Sequence, residues 1–532
     1  MPNIRFTAVA AAVCHLALAA PVFSAPPENF PARVNSLLDD LGVPGATVAI
    51  VEKGEVTLAK GFGVRSLEAP EAVNAETIFA TGSTGKAFTT AALAILVDRG
   101  LIKWDDRVID HMPDFRMWDA WVTREMTVRD LLVHRSGLGL GAGDLLFVPR
   151  SDLSRKETMR RLRHIKPATS FRSGYAYDNV LYMVAGQLVE EVTGDTWEVF
   201  VQENIFDVLG MKSSTVSDQA LIASENRARP HARLNGPIRG MGDQVPLDET
   251  MAIAPNAAPA GGLAISANDM TQWLLTQLGK GKMPAGEDRL FSEAQSAQMW
   301  LPAVLQPISP APANLAAAQP MFRTYALGWT VQDYRGAKLV WHGGAVFGSL
   351  AVVALLPDQD VGFYVAVNSE EGEMVRGLLY ELLDHYLDLP MENWPEKLHD
   401  FKVARQAAAA DMVAAQLAPT SDASGSGPLL PLAGYVGEYN DPWYGTISVR
   451  EEGDALEVDF PHSLGLSAKL EHVRYNTFIT HFNDPGMEPA YLTFSLDAEG
   501  RVDRITAKAV SPIADFSFDY HDLLFTPVAA AN

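Results

Sequence analysis

Apolar residues recur along this chain in short runs bounded by turn residues and in longer runs that end at a glycine. The short runs predict strands and the longer runs predict helices. Two short runs on either side of Lys53 and Gly54 predict a β-hairpin, and an Ala-rich run that follows Ser83 and stops at Gly100 predicts a buried helix. A hairpin followed by such a helix indicates an antiparallel sheet packed against helices. Further strands are predicted at 325–331, 337–341, 349–356 and 361–367, and further helices at 35–41, 180–192 and 266–278.

The pattern changes in the C-terminal part of the chain. Residues 406–428 are rich in Ala, Ser, Gly and Pro, which predicts a linker between two domains. Beyond it the apolar runs are short and no long helix is predicted, so a small β-barrel or sandwich is expected. Trp443 and Tyr444 are either exposed loop residues or part of the core of this domain. Its strands are predicted at 444–450, 455–460, 475–480, 491–495, 502–507 and 516–520.

The N-terminal segment has the pattern of an export signal. Arg5 precedes an apolar run from Phe6 to Ala20, which is too short to span a bilayer readily and is followed at once by Pro21. A signal peptide is therefore predicted at 1–24. The mature protein is expected to be periplasmic or secreted, without a stable membrane anchor.

Composition and charge limit the chemistry and the partners that can be expected. The only cysteine, Cys14, lies inside the predicted signal, so disulfides and thiolate metal sites are excluded from the mature chain. No His-Glu-x-x-His pattern occurs among the 12 histidines, and neither a metal nor a cofactor is expected. The formal charge of −23 disfavours nucleic acid and anionic membranes and is compatible with small neutral or zwitterionic substrates. The sequence leaves the oligomeric state open.

The most informative chemical pattern lies at the start of the Ala-rich helix, where Lys86 follows Ser83 by three residues. This spacing places both side chains on one side of the first helical turn. A serine hydroxyl becomes nucleophilic when a neighbouring base takes its proton, and a lysine in a dry pocket can be neutral enough to do so. A phosphate-binding loop would need Gly at position 80 and Ser or Thr at 87. The chain has Ala80 and Ala87, which excludes that alternative.

Other polar residues are ambiguous when each is taken alone. A turn that contains Tyr177 and Asn179 precedes a predicted helix, where an asparagine is usually only a cap. His342 lies between two predicted strands and precedes two glycines, which permit close approach of a ligand, although a single histidine there is more often structural. His134 ends a predicted helical turn, so a hydrogen bond to nearby backbone is expected rather than catalysis.

Taken together, the motifs at 83–86, 177–179 and 342–344 occur in an order that resembles the penicillin-recognising serine hydrolases. This superfamily comprises class C β-lactamases, D-Ala-D-Ala carboxypeptidases, D-aminopeptidases and related esterases. The likeness covers roughly residues 43–368, and the C-terminal segment resembles the lipocalin-like barrel appended to some of its peptidases. The resemblance implies an α/β (α+β) serine β-lactamase-like fold, with an antiparallel sheet flanked by helices, and a C-terminal antiparallel β-barrel.

The resemblance also implies a role for each residue of the first two motifs. Ser83 would attack the substrate carbonyl and form an acyl-enzyme. Lys86 and Tyr177 would share the proton transfers as general base and acid, which is a serine–lysine version of the catalytic triad. Asn179 would orient Lys86 and the amide of the substrate.

The third motif departs from the common pattern of the family. His342 replaces the lysine that most β-lactamases carry, which disfavours antibiotic hydrolysis. Gly343 stands where many relatives have Thr or Ser, so a hydroxyl that could hold a substrate carboxylate is missing and strict carboxypeptidase specificity is disfavoured. In the family pattern, substrate binds along this strand past Gly344, and the backbone N–H groups of Ser83 and Ala345 form the oxyanion hole.

The sequence therefore predicts an exported, metal-free serine hydrolase that cleaves amide bonds in small or D-residue-containing peptides, including linearised cyclic peptides. A carboxylesterase or β-lactamase-like hydrolase is the alternative enzyme. A penicillin-receptor-like sensor or binding protein, acylated without turnover, is the alternative of another class. The hydrolase domain is expected at 25–405 and the barrel at 429–532. Because no motif lies in the barrel, it is expected to fold alone and to contribute to substrate access more than to chemistry.

Overall fold

The computed structural model of the protein describes residues 25–251, 254–418 and 427–528. The predicted signal peptide at 1–24 lies outside these residues, as does the part of the predicted linker at 419–426. The described chain contains an antiparallel sheet of eight strands flanked by helices, followed by a closed barrel of eight strands. The predicted fold class is therefore confirmed.

The helices begin and end largely where glycines and capping residues predict. The first ends at Gly42 and the sixth at Gly194, both with left-handed backbone. The hydroxyl of Ser266 accepts the backbone N–H of Asp269 and so caps the start of the eleventh. The helices are α1 (Phe30–Leu41), α2 (Lys86–Asp98), α3 (Val108–His111), α4 (Ala120–Glu125), α5 (Arg155–Arg161), α6 (Val180–Thr193), α7 (Trp197–Val201), α8 (Asp207–Leu209), α9 (Asp218–Ala223), α10 (Ala258–Gly261), α11 (Ala267–Leu278), α12 (Glu293–Met299), α13 (Gly372–Tyr386) and α14 (Trp394–Leu417).

The strands divide between the sheet, the barrel and two small pairs. The pairs are β3 with β6 and β4 with β5. The strands are β1 (Gly45–Glu52), β2 (Glu55–Gly63), β3 (Phe79–Ala80), β4 (His231–Asn235), β5 (Gly242–Pro246), β6 (Ala264–Ile265), β7 (Val304–Leu305), β8 (Arg323–Tyr325), β9 (Thr330–Tyr334), β10 (Ala337–Val346), β11 (Ser349–Leu356), β12 (Val361–Val367), β13 (Gly437–Asp441), β14 (Gly445–Glu452), β15 (Ala455–Asp459), β16 (Ser467–Arg474), β17 (Thr477–Phe482), β18 (Ala490–Leu496), β19 (Val502–Ala509) and β20 (Leu524–Pro527).

The large sheet has the strand order β2-β1-β12-β11-β10-β9-β8-β7, and its strands β1 and β12 are buried along their whole length. Successive side chains of a strand point to opposite faces, so β12 contributes to two cores. Phe363 and Val365 pack with α1 and α13 on one face, whereas Tyr364 and Ala366 pack with α2 and α11 on the other. The predicted hairpin is confirmed as β1 and β2, which pair in antiparallel register.

The barrel closes through pairing of β13 with β20 and follows the sequence order of its strands. Its apolar interior is continuous with the core around α2 and α6, since residues such as Phe88 and Phe478 belong to one buried cluster. Trp443 and Tyr444 are buried, so the core alternative for them is correct and the exposed-loop alternative is wrong.

The linker prediction is wrong for 406–417, because these residues form the end of α14. Alanine has the highest helix propensity, so an Ala-rich stretch continues a helix as readily as it forms a linker. The helix end is also held in place, since Ala409 and Val413 pack against Ile479 and Val510 of the barrel.

Two strand predictions also need correction. The predicted strand at 325–331 is interrupted at Gly328, which has a φ of +78° and is so close to α2 that a Cβ atom there would lie 2.8 Å from Thr90 Oγ1. The chain therefore turns between β8 and β9. The predicted strand at 516–520 is a loop that ends in a 3₁₀ turn, and in the barrel the predictions missed β13, β16 and β20.

Candidate active site

Ser83 lies in a 3₁₀ turn, Gly82–Gly85, that leads directly into α2 at Lys86. The preceding Thr81 anchors this turn, because its hydroxyl donates to the carbonyl oxygen of Leu263 over 2.9 Å. Helix α2 is rich in small residues and is buried along most of its length. Lys86 therefore projects from a buried helix, while Ser83 is partly exposed.

The amine of Lys86 is buried and fully hydrogen-bonded. It donates to Ser83 Oγ over 2.9 Å, to Asn179 Oδ1 over 2.7 Å and to the carbonyl oxygen of Ala260 over 2.8 Å. Burial lowers the pKa of Lys86 to about 7, against the opposing charges of Asp144 and Asp178. A large fraction of the amine is thus neutral near pH 7, and in that form it can accept the proton of Ser83.

The phenol ring of Tyr177 is half-buried and lies over the same amine, with its centroid 4.9 Å from Lys86 Nζ. Burial raises the pKa of Tyr177 well above its ordinary value, and the neighbouring Ser83 hydroxyl offsets this only in part. The phenol therefore stays protonated at neutral pH. This arrangement favours Lys86 as the base and Tyr177 as a proton donor.

Asn179 connects Lys86 to a buried carboxylate that the sequence predictions missed. Its Oδ1 accepts from Lys86, and its Nδ2 donates to Asp144 Oδ2 over 2.8 Å. The hydroxyl of Ser517, a barrel residue, donates to the same oxygen over 2.8 Å. Burial raises the pKa of Asp144 to about 8. Its other oxygen, Oδ1, has no hydrogen-bond partner among the described residues.

The barrel loop that carries Ser517 makes further contacts with the site. Asp519 Oδ2 accepts the backbone N–H of Gly143 over 2.6 Å. The ring of Phe516 meets that of Tyr177 edge-on, with centroids 5.9 Å apart. The barrel thus supplies side chains that touch the residues around Ser83. No local pattern around Ser517 could have revealed a contact across 373 residues.

His342 lies in β10 and is buried. Its Nδ1 is 2.6 Å from the carbonyl oxygen of Gly343, which can only accept, so Nδ1 carries the proton. Its Nε2 then accepts from the hydroxyl of Tyr325 over 2.8 Å. Burial, together with the charge of Lys86, lowers the pKa of His342 to about 3. The imidazole is therefore neutral, and the site lacks a positive charge at this position of the strand.

His134 packs between the tyrosines of the site. Its ring centroid lies 4.1 Å from that of Tyr177 and 4.4 Å from that of Tyr325. Its Nδ1 accepts the backbone N–H of Asp178 over 3.2 Å, which confirms the prediction of a histidine bonded to backbone. His134 thus packs against the ring of Tyr177.

Strand β10 approaches the serine turn through Gly344. A Cβ atom on Gly344 would lie 1.9 Å from the carbonyl oxygen of Thr81 and 3.0 Å from the backbone nitrogen of Ser83. Only glycine permits this approach, which places the N–H groups of Ser83 and Ala345 in neighbouring segments. A Cβ atom on Gly343 would meet nothing closer than 3.6 Å, so that position has space on its side-chain face.

Ser83 opens into a cavity of about 460 Å³. Asn179 and Ala345 line it on the side of the sheet and helices, and the barrel contributes Glu488 and Asp515. A cavity of this size suits a small molecule or a short peptide.

Among the described residues, one cluster has donor atoms close enough together to share a cation. It consists of Asp519, His521 and Asp522, in the barrel. Asp519 already accepts a hydrogen bond from Gly143, and none of the three is a residue of the serine motifs. Within the same described ranges, no helix has the length and apolar character needed to cross a bilayer.

Comparisons with known sequences match both parts of the chain. The sequence model of the Beta-lactamase family matches residues 30–387, and that of a domain of unknown function, DUF3471, matches 421–527. The unguisins hydrolase ungD' of Aspergillus campestris is 29% identical over 452 residues, covering 81% of this chain and 79% of its own length. Penicillin-binding protein 4 of Amycolatopsis lactamdurans is 27% identical over 337 residues, covering 62% of this chain and 82% of its own length.

Solved structures share the fold at lower sequence identity. The octameric penicillin-binding protein homologue of Pyrococcus abyssi has a TM-score of 0.55 and 21% identity, covering 91% of this chain and 97% of its own. The class C β-lactamase of Rhodobacter sphaeroides has a TM-score of 0.52 and 21% identity, covering 68% of this chain and 100% of its own. At these identities the likeness describes the fold alone.

Proposed function

Because the chain belongs to the Beta-lactamase family of serine hydrolases, we propose that Ser83 forms an acyl-enzyme with amide bonds of small peptides, including D-residue-containing and cyclic or linearised cyclic ones. The observation that carries this proposal is the hydrogen bond of 2.9 Å between Ser83 Oγ and a buried amine whose pKa is lowered to about 7. A serine paired with a partly neutral amine is an activated nucleophile.

In the proposed acylation, the neutral amine of Lys86 takes the proton of Ser83 as the hydroxyl oxygen attacks the carbonyl carbon. The backbone N–H groups of Ser83 and Ala345 stabilise the negative charge that develops on the carbonyl oxygen. Tyr177, which stays protonated, donates to the departing nitrogen and is reprotonated from Lys86. Deacylation runs the same transfers in reverse, with water in place of the leaving group.

The size of the cavity and one relative support this proposal. The cavity beside Ser83 has room for several residues of a short peptide. A relative that shares 29% identity over most of both chains is named an unguisins hydrolase. The proposed compartment, periplasmic or extracellular, is supported by the N-terminal sequence pattern.

A carboxylesterase is the second candidate. The neutral His342 and the missing hydroxyl at Gly343 leave this strand without groups that would hold a substrate carboxylate. Esters also have better leaving groups than amides, so the same acylation chemistry would cleave them. Esterase activity is therefore expected to accompany peptidase activity on small activated esters.

The test is a hydrolysis panel on the purified protein with Ser83→Ala as the control. The panel contains D- and L-amino acid amides, short D- and L-peptides, a cyclic peptide, p-nitrophenyl esters and a chromogenic β-lactam. Turnover of peptides or amides that is lost in Ser83→Ala supports the proposal. Turnover of esters alone would establish the esterase. A single burst of acylation without steady turnover would indicate a sensor, and the peptidase proposal would fall.

A further inference from the structure

Asp144 is a fully buried carboxylate that lies beside the residues of the serine motifs. It begins a 3₁₀ turn, Asp144–Leu146, and its side chain is 0% exposed. The proposed acylation makes no use of it. A carboxylate without contact to water costs free energy unless its partners offset that cost, so the partners of Asp144 indicate what it contributes.

The first partner is the amide of Asn179, whose two ends are not equivalent. Its Oδ1 accepts from Lys86 Nζ over 2.7 Å, and its Nδ2 donates to Asp144 Oδ2 over 2.8 Å. An amide nitrogen only donates and a carboxylate oxygen accepts, so Asp144 determines that the oxygen end of the amide faces Lys86. If the amide turned over, two donors would face each other, and Lys86 would lose one of its three acceptors.

The amide of Asn179 also has a competing use. Asn179 is the N-cap residue of α6, a position where an asparagine side chain commonly accepts a backbone N–H of the first helical turn. Its side chain makes no such hydrogen bond with the described first turn of α6. The amide is therefore held between Lys86 and Asp144, and removal of Asp144 would free it to cap the helix instead.

The second partner of Asp144 comes from the barrel. The hydroxyl of Ser517 donates to the same Oδ2 over 2.8 Å. The barrel loop is fixed next to this contact, because Asp519 Oδ2 accepts the backbone N–H of Gly143 over 2.6 Å. Asp144 Oδ2 thus receives one donor from each domain.

The charge of Asp144 acts on Lys86 as well. Burial lowers the pKa of Lys86 to about 7, and among the charges that oppose this effect that of Asp144 is the largest. Burial likewise raises the pKa of Asp144 to about 8, and the charge of Lys86 opposes this rise. The two groups titrate as a coupled pair, in which loss of the carboxylate charge makes the amine easier to deprotonate. The other titratable groups that face the pair are Tyr177 and Asp178, before α6, and Asp515 and Asp519, in the barrel loop.

We propose that Asp144 is a positioning residue of this reaction: it holds the amide of Asn179 so that Oδ1 faces Lys86, and its own charge acts on the amine. Ser517 completes this anchor from the barrel. The inference rests on the proposed function and adds to its site a residue outside the three motifs. Two geometric observations carry it. Donors from both domains share Asp144 Oδ2, and the amide of Asn179 connects that oxygen to Lys86.

The test measures the rate at which a fluorophosphonate labels Ser83, across about pH 5 to 9, in the wild type and in two variants of Asp144. Asp144→Asn keeps an acceptor oxygen for Asn179 and Ser517 but has no charge. We expect its maximal rate to stay within about threefold of the wild-type rate. The rise of the rate with pH should move about one pH unit lower, because the amine loses the carboxylate that stabilises its protonated form. Asp144→Ala removes the acceptor as well, and its maximal rate should fall at least about tenfold.

A double-mutant cycle shows whether Asp144 acts through Asn179. Asp144→Ala made in the Asn179→Ala protein should lower the maximal rate by less than about threefold, because the amide that Asp144 positions is then absent. Asp269→Asn is the matched control. Asp269 is also a buried carboxylate that accepts a serine hydroxyl, that of Ser214 over 2.6 Å, and it is not among the main charges acting on Lys86. Its pH profile should match that of the wild type.

Three results would overturn the inference: an unmoved pH profile in Asp144→Asn, labelling of Asp144→Ala at the wild-type rate, or a full additional loss in the Asn179→Ala protein. If circular dichroism shows that Asp144→Ala does not fold, the pH profile of Asp144→Asn decides the question. Labelling of Ser83 without turnover of any amide or peptide would defeat the proposed function alone. A wild-type protein that is not labelled at all would overturn both proposals.

Discussion

Gly344→Ala tests whether the approach of β10 to the serine turn creates the reactive site. The added methyl group would lie 1.9 Å from the carbonyl oxygen of Thr81, whereas carbon and oxygen atoms normally approach to about 3.3 Å. Strand and turn must therefore separate by more than ~1 Å, which displaces the N–H of Ala345 from that of Ser83. A misplacement of this size costs about 10²-fold in rate, or roughly 2.7 kcal/mol of transition-state stabilisation.

Gly343→Ala is the matched control, because it adds the same methyl group one residue earlier in the same strand. Its nearest heavy atom would be 3.6 Å away, which is an ordinary van der Waals contact. We expect a change of less than about threefold in the rate of labelling by a small fluorophosphonate, against a loss of about 10²-fold in Gly344→Ala. Thermal unfolding followed by circular dichroism shows whether each variant is folded. Labelling of Gly344→Ala at the wild-type rate would refute the reasoning, as would equal losses in the two variants.

Four further predictions follow from the site. Lys86→Ala should lower kcat by about 10²- to 10⁴-fold in a steady-state assay, because Ser83 loses its base; wild-type turnover would contradict this role. The acylation rate should rise with pH through about 7, where the amine of Lys86 loses its proton, and a rate that falls over this range would exclude a neutral amine as base. Ser517→Ala removes a hydrogen bond that lowers the pKa of Asp144, so the pKa of Asp144 should rise further and the pH–rate profile should shift. An unchanged pH–rate profile would mean that Ser517 is only structural. EDTA should leave turnover unchanged, since nucleophile and base are a serine and an amine; loss of activity that zinc restores would contradict the mechanism.

The sequence predicted those parts of the fold that local patterns determine. The hairpin around Lys53 and the helix after Ser83 follow from apolar runs and glycine stops, and both are present. The mainly apolar run at 325–331 predicts one continuous strand. The turn at Gly328 depends instead on the tertiary approach of α2, which local sequence does not encode. The Ala-rich stretch at 406–417 has a composition that fits a helix as well as a linker, and packing against the barrel decides between them.

In the candidate site, too, contacts between residues close in sequence are predicted from the sequence, whereas contacts between residues far apart in sequence are not predicted from local patterns. The spacing of Ser83 and Lys86 predicts their contact, because three residues make less than one helical turn. The contact of Asn179 with Lys86 spans 93 residues of sequence. Its prediction rests on the order of the motifs, which resembles that of a known family. Asp144 and Ser517 lie in no such motif. Their contact joins the two domains, so only the three-dimensional structure reveals it.

The measurement that tests the central claim most directly is mass spectrometry of the protein after reaction with a fluorophosphonate. The account predicts one covalent adduct per chain, located on Ser83 by peptide mapping, and no adduct on the folded Ser83→Ala variant. An adduct on another residue, or labelling that persists in Ser83→Ala, would contradict the assignment of Ser83 as the nucleophile.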